Sequence, residues 1–141
     1  MKKIRLMLMA LLLPMLLIAQ NKSDMKDQME QRVEETASEQ TEWMKANLSL
    51  NGDQLEDVRE INHKYVEKRE EVFMEEESAE NKWEELEENW NEQMEELEDV
   101  LDANQYAKLQ TVKNQWYNEM RLRWQTDTRH EKDDGMEDDD Y

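Results

Sequence analysis

Cysteine is absent from the 141-residue chain, which excludes disulfides, thiolate metal sites and lipid attachment through a cysteine. Proline occurs once, at Pro14, and glycine twice, at Gly52 and Gly135. A β-sheet protein needs turn residues at its reversals, and this chain has almost none to offer. Between the two glycines lies a long stretch without strong breakers, rich in Glu, Lys, Gln, Leu and Met. That is an all-α composition. Histidine is limited to His63 and His130, no glycine-rich phosphate loop is present, and no serine stands near a histidine in a nucleophile pattern. With no catalytic constellation, a non-enzymatic role without a cofactor is expected. Positive charge is scarce too: 18 basic residues face 37 acidic ones, for a net charge of −19. Such a chain repels nucleic acid and anionic lipid and favours cations and basic clients.

Long apolar runs are also missing. Leu6 through Ala19 is apolar but only 14 residues long, short of the ~20 a bilayer-spanning helix needs. Behind the basic start Met1-Lys2-Lys3-Ile4-Arg5 it reads as a secretory signal peptide over residues 1–19, cleaved after Ala19. Leu17 stands at the −3 position, where a small residue is usual. The expected product is soluble, periplasmic or extracellular, without stable membrane insertion, and three charges more negative once Lys2, Lys3 and Arg5 are removed.

Against this plain background one pattern occurs twice. Leu48-Ser49-Leu50-Asn51-Gly52-Asp53-Gln54 and Val100-Leu101-Asp102-Ala103-Asn104-Gln105 each give a leucine, an N-cap residue, and a glutamine three positions after the cap. This is capping-box spacing: the cap side chain accepts one orphan helix N–H and the glutamine reaches back to another. The likeness continues downstream. With Gln54 laid on Gln105, Leu55 falls on Tyr106, Val58 on Leu109, Ile61 on Val112 and Tyr65 on Trp116. Steps of three, three and four place these positions on one helical stripe.

The two segments resemble the paired L-T-x-x-Q motifs of the Spy/CpxP family of periplasmic proteins. The threonine is replaced by Asn51 in the first and Asp102 in the second, and both replacements cap helices well. The resemblance covers about Leu48 to Trp116 plus an N-terminal helix. It implies long antiparallel helices in a Spy-like helical hairpin, paired as a thin cradle-shaped homodimer. It further implies an ATP-independent chaperone that binds unfolded or damaged envelope proteins through mixed charged and apolar contacts. The same resemblance allows a second role, a stress- or metal-responsive adaptor that binds a membrane signalling protein. Family cradles tend to be basic, and this chain departs from that. A third reading, an acidic coiled coil with a structural role, follows from periodicity and charge alone.

The expected domain spans residues 20–127, followed by a disordered acidic tail over residues 128–141. A first helix is expected from about Ser23 to Ala46, with Met25, Met29, Val33, Thr36, Gln40 and Trp43 along one face. The second opens at Asn51 and carries Leu55, Val58, Ile61, Tyr65, Val72 and Phe73. At Glu75-Glu76-Glu77-Ser78 the glutamates repel and Ser78 can cap a new helix, so a bend and one continuous helix are both open. The third carries Trp83, Leu86, Trp90, Met94, Leu97 and Leu101 at seam spacing. The fourth opens at Asp102 and carries Tyr106, Leu109, Val112, Trp116, Met120 and Trp124. Each helix has one narrow apolar stripe, which favours pairing of two chains to cover it.

Among the tryptophans, Trp90 and Trp116 are expected in the seams. Trp43, Trp83 and Trp124, nearer helix ends, are candidates for partial exposure and client contact. Arg59, Lys64, Lys68 and Arg69 on the second helix, with Lys108 and Lys113 on the fourth, are the basic residues that can line a client-binding face. The acidic third helix is expected to pair with the bases of the fourth. Glu60, His63 and Glu67, and His130 with Glu131, Asp133 and Asp134, have spacings that can hold a metal weakly. Helices this rich in glutamate produce such triples by chance, so a solvated surface is expected and no metal site is predicted.

Overall fold

The computed structural model describes the backbone of residues 13–133 and the side chains of residues 22–126. Within that range the chain forms four helices: α1 (Leu13–Leu48), α2 (Gly52–Met74), α3 (Ala79–Val100) and α4 (Ala103–Asp133). Connections of a few residues make each helix antiparallel to the next, and each packs on its neighbours in the order α1, α2, α3, α4 and back to α1. The fold is an all-α bundle of helical hairpins. Both capping boxes lie at the same end of it.

Local sequence sets the helix boundaries. Asn51 and Gln54 close a complete capping box on α2. Ser78 caps α3, its Oγ accepting from the Asn81 N–H at 3.3 Å, so α2 and α3 are separate helices. Adjacent like charges on Glu75, Glu76 and Glu77 gain nothing from continuing the helix, whereas Ser78 satisfies a new helix start. The Asp102 box opens α4. At the far end of α1, Ser49 turns the chain with φ of 54°, a left-handed conformation that glycine adopts more readily.

Two boundaries differ from the sequence expectation. α1 is helical from Leu13, ten residues before Ser23, and the rest of the expected leader lies outside the described residues. α4 continues to Asp133, so residues 128–133 are helical backbone and not tail. The apolar stripe ends earlier, but a helix already nucleated propagates until a breaker, and Gly135 is the next one. Residues 134–141 lie outside the described range. Among the described residues no helix is long and apolar enough to cross a membrane.

The core forms around Tyr65, Leu86, Trp90, Met94, Leu97 and Leu109, with Met44 and Leu48 from α1 and Val58 and Ile61 from α2. A smaller cluster of Val33, Ala37 and Val66 seals α1 to α2. The expected stripes on α2, α3 and α4 point inward, but α1 turns Val33, Ala37, Gln40, Thr41, Met44 and Leu48 inward and leaves Met25 and Thr36 exposed. α2 also departs from the single narrow stripe. Lying between α1 and α3, it buries a second row, Asn62, Val66, Arg69 and Glu70, beside Val58, Ile61, Tyr65 and Val72.

That second row makes part of the core polar. Gln93 Nε2 donates to Asn62 Oδ1 at 2.9 Å and to Gln40 Oε1 at 3.2 Å, and Asn62 Nδ2 donates to Thr41 Oγ1 at 3.1 Å. Among the described residues no buried side-chain polar atom lacks a partner. A fully satisfied network of this kind fixes helix register, since a shift of one turn would strand several groups at once.

Two changes at the first turn test this reading by chemical denaturation. Ser49→Gly relieves the left-handed strain and is expected to raise stability by about 0.5–1 kcal/mol. Gly52→Ala, whose added Cβ meets no atom within 4 Å, is expected to add a similar ~0.4–1 kcal/mol through the unfolded chain.

Candidate functional site

The two motifs predicted from sequence meet in space. Gln54 accepts from the Asn51 N–H (3.2 Å) while its own N–H reaches Asn51 Oδ1 (2.8 Å). Gln105 and Asp102 repeat this at 2.9 and 2.8 Å. The two amides then bond each other, Gln54 Nε2 to Gln105 Oε1 at 2.8 Å and Gln105 Nε2 to Gln54 Oε1 at 3.0 Å. Each Nε2 has a second hydrogen, directed at the carbonyl that ends the opposite hairpin's first helix. Gln54 donates to Val100 O at 3.2 Å and Gln105 to Leu48 O at 3.1 Å. Leu48 and Leu101 are buried beside this clasp and Leu50 is half-buried against the core. All four amide hydrogens are used, so the pair is a structural joint with no donor left for a ligand.

A second joint lies toward the other end. The Glu70 carboxylate, 3% exposed, accepts from Arg32 Nε at 2.9 Å and from Arg123 NH2 at 2.8 Å, with a second bond from Arg123 NH1. One side chain of α2 therefore holds both α1 and α4. Burial pushes the Glu70 carboxyl up, but the hydrogen bonds and charges of Arg123 and Arg32 outweigh it and hold it below the ordinary range. The adjacent Arg69 is buried, donates to Asn89 Oδ1 at 2.9 Å and Gln93 Oε1 at 2.8 Å, and lies over the Trp90 ring. Burial lowers its pKa to about 10 against the opposing charge of Glu70, so it stays charged at neutral pH.

Between these joints α1 and α4 part around a groove of about 430 Å³, floored by α2 and Trp90. Trp43 of α1 and Trp116 of α4 meet edge-to-face across it, centroids 5.6 Å apart at 81°. Phe73, stacked under the Arg123 guanidinium at 4.0 Å, and Met120 add to the apolar wall. The rim is polar: Thr36 and Glu39 on α1, Gln115 and Glu119 on α4. Half-buried aromatics, a methionine and charged rims give a surface able to hold an apolar side chain of variable shape.

The sequence candidates distribute unevenly. Trp43 lines this groove. Trp83 and Trp124 are half-buried but lie elsewhere, in tilted contact with centroids 5.0 Å apart in the α3–α4 seam with Tyr117 beside Trp83, and Trp124 Nε1 donates to Ala79 O at 3.1 Å. Trp90 is buried as expected. Trp116 is not fully buried, because α1 and α4 touch only lightly there.

The basic set needs a larger correction. Arg69 is buried, since α2 is covered on both sides, and it lies in the floor of the groove. Lys64 and Lys68 are exposed but pair with Glu96 at 2.7 Å and Glu92 at 3.5 Å, lying against the Tyr65 ring. The cross-helix ion pairs seen for α3 thus run to α2, where the sequence suggested α4. Arg59 and Lys108 are exposed and Lys113 half-buried; none of them lines the groove. What sequence reasoning missed is the Arg32–Glu70–Arg123 joint. The available signal was a second three-and-four step on α2, Val66 to Glu70 to Phe73.

The metal-spaced triple does not converge. His63 Nδ1 lies 4.0 Å from Glu67, both side chains about half exposed. Among the described residues the carboxylates that do come together are Glu75, Glu77 and Glu85, all exposed at the α2–α3 turn. Partial desolvation first, then the charges of Glu75, Glu77 and Glu88, push the Glu85 carboxyl up. The His130 cluster lies outside the described side chains.

The two clasped motifs also lie inside a recognised family span. The model of the family described as Domain of unknown function (DUF4890) matches residues 19–109. The chain belongs to that family. The DUF4890 span takes in both capping boxes and the start of α4, whereas Trp116, Met120 and Arg123 lie beyond it. No curated protein and no solved structure matches the chain.

Truncating either clasp glutamine strands partners on two hairpins. Gln54→Ala and Gln105→Ala are each expected to cost about 2–3 kcal/mol in urea denaturation, with the double variant costing ~1 kcal/mol less than the sum. Glu70 gives a pH signature. Its folded pKa is depressed, so its contribution is complete above the ordinary 4.5 and is lost as pH falls through the folded value. Glu70→Gln should therefore lose about 2–3 kcal/mol at neutral pH, and its deficit should shrink in melts taken below pH 4.5.

Proposed function

We propose that this chain is a periplasmic ATP-independent chaperone, a holdase that binds unfolded or damaged envelope proteins and works as a Spy/CpxP-like homodimer. The observation that carries the reading is the groove between α1 and α4, where half-buried Trp43, Trp116 and Phe73, backed by buried Met120, stand between polar rims. An ATP-independent holdase needs adaptable apolar contact without a closed cavity, and large aromatics with a flexible methionine supply it. The paired capping boxes support the family resemblance, because the residues that carry the motif also clasp the hairpins together. The basic start and apolar run at residues 1–19 support export. Homodimer formation is supported by the narrow core and by exposed Met25, Met74 and Leu122, which a second chain can cover.

The test is aggregation of an unfolding client protein without ATP, at two salt concentrations. Suppression near stoichiometric ratio is expected, with the Trp43→Ala/Trp116→Ala double variant needing about fivefold more protein. Absence of suppression with both an acidic and a basic client, together with tight binding to one folded membrane signalling protein, would replace the chaperone by the adaptor role.

A further inference from the structure

The chemistry of the groove is more specific than its shape. Its two arginines are committed inward. Arg69 donates to Asn89 and Gln93, and Arg123 holds Glu70 and covers Phe73. The floor charge is thereby internally balanced and presents no free anion-binding fork. The rim is different. Glu39 on α1 and Glu119 on α4 are exposed, line the groove from its two sides, and form no ion pair among the described residues. Among the described residues Glu119 accepts from the neighbouring Gln115 amide alone, at 3.0 Å. The Trp43 and Trp116 rings lie about one helical turn along α1 and α4 from these carboxylates, in the same groove.

We infer that the α1–α4 groove is a docking site for a basic apolar peptide segment, an aliphatic or aromatic side chain packing onto the Trp43–Trp116 pair with flanking lysine or arginine on Glu39 and Glu119. This rests on the holdase reading and names its client class. Charge complementarity selects the occupant. An acidic segment meets two uncompensated carboxylates on a chain of net charge −19, whereas a basic one gains both rim contacts and cation–π contact with the indole faces. The volume of about 430 Å³ falls in the range of ligand pockets, roughly 300–1,000 Å³.

The experiment uses the whole chain and two fluorescently labelled peptides with the same Leu-Phe centre, one flanked by lysines and one by glutamates. Fluorescence anisotropy is read for the native chain and three variants, each shown by thermal melting to be folded. Glu39→Lys/Glu119→Lys reverses the rim. Glu84→Lys/Glu88→Lys makes the same change of net charge on the exposed surface of α3. Trp43→Ala removes one wall. The lysine peptide should bind, the rim reversal should weaken it about tenfold, and the α3 reversal should change it less than about twofold. Trp43→Ala should weaken binding of the lysine peptide about fivefold. Equal loss from the two reversals, or preference for the glutamate peptide, overturns the assignment. If the groove pattern holds but client aggregation is not suppressed, the site stands and the holdase role falls. If aggregation is suppressed equally by the rim-reversed and α3-reversed chains, the holdase stands and the groove assignment falls.

Discussion

The reciprocal hydrogen bonds of Gln54 and Gln105 hold one end of every helix in this bundle. Each amide completes its own capping box, bonds the other amide, and binds the carbonyl at the end of the opposite hairpin's first helix. The C-termini of α1 and α3 and the N-termini of α2 and α4 are therefore satisfied by one cluster, although helix ends normally leave their orphan groups to separate partners or to water. Glutamine suits the position. Glutamate has no amide hydrogens to donate, and asparagine is one methylene shorter than the span from N3 back to the cap. Leu48 and Leu101 sit buried next to the polar clasp, so hydrogen bonding and burial fix the same geometry.

Starting from that end, helix register follows. Thr41 meets Asn62, and Arg32 meets Glu70, along an antiparallel α1–α2 pair. α2 is the central element, covered by α1 on one side and α3 on the other, which is why it carries both an apolar row and a buried polar row. α4 is attached differently. It leans on α3 through aromatic contacts of Tyr117 and Trp124, and it reaches α1 through Trp43–Trp116 and the Glu70 joint. The groove is the space left between these attachments. Its aromatic lining stays accessible because neither α1 nor α4 has a continuous apolar row facing the other.

The capping boxes were legible because an N-cap, its N3 partner and the stripe that follows are all local in sequence. The same holds for the Ser78 cap and for the seam of Leu86, Trp90, Met94 and Leu97 on α3. Arg69 was misread because an arginine beside lysines on a charged helix looks like solvated surface. Only the closeness of Asn89 and Gln93, some twenty residues on, makes it interior. Lys64 and Lys68 were legible as exposed, but their pairing with Glu96 and Glu92 depends on which helix lies alongside. Trp116 shares its stripe position with Tyr65 in the motif alignment, yet Tyr65 is buried and Trp116 is not. The periodicity is equal and the neighbours differ.

The sequence by itself determined the helical class, the start of α2 and α4 and the acidic surface, and it left the break before α3 open. These depend on backbone breakers, on capping side chains within three residues of a helix end, and on a sum of charges. The tertiary structure alone decided that the two glutamines bind each other, that Glu70 joins three helices, and that Trp43 and Trp116 border an open groove. Those contacts join residues 38 to 53 positions apart in the case of Glu70 and 51 in the case of the glutamines. No periodicity within one helix specifies which faces of two others will meet it, because the register is set by packing and by the simultaneous satisfaction of buried polar groups.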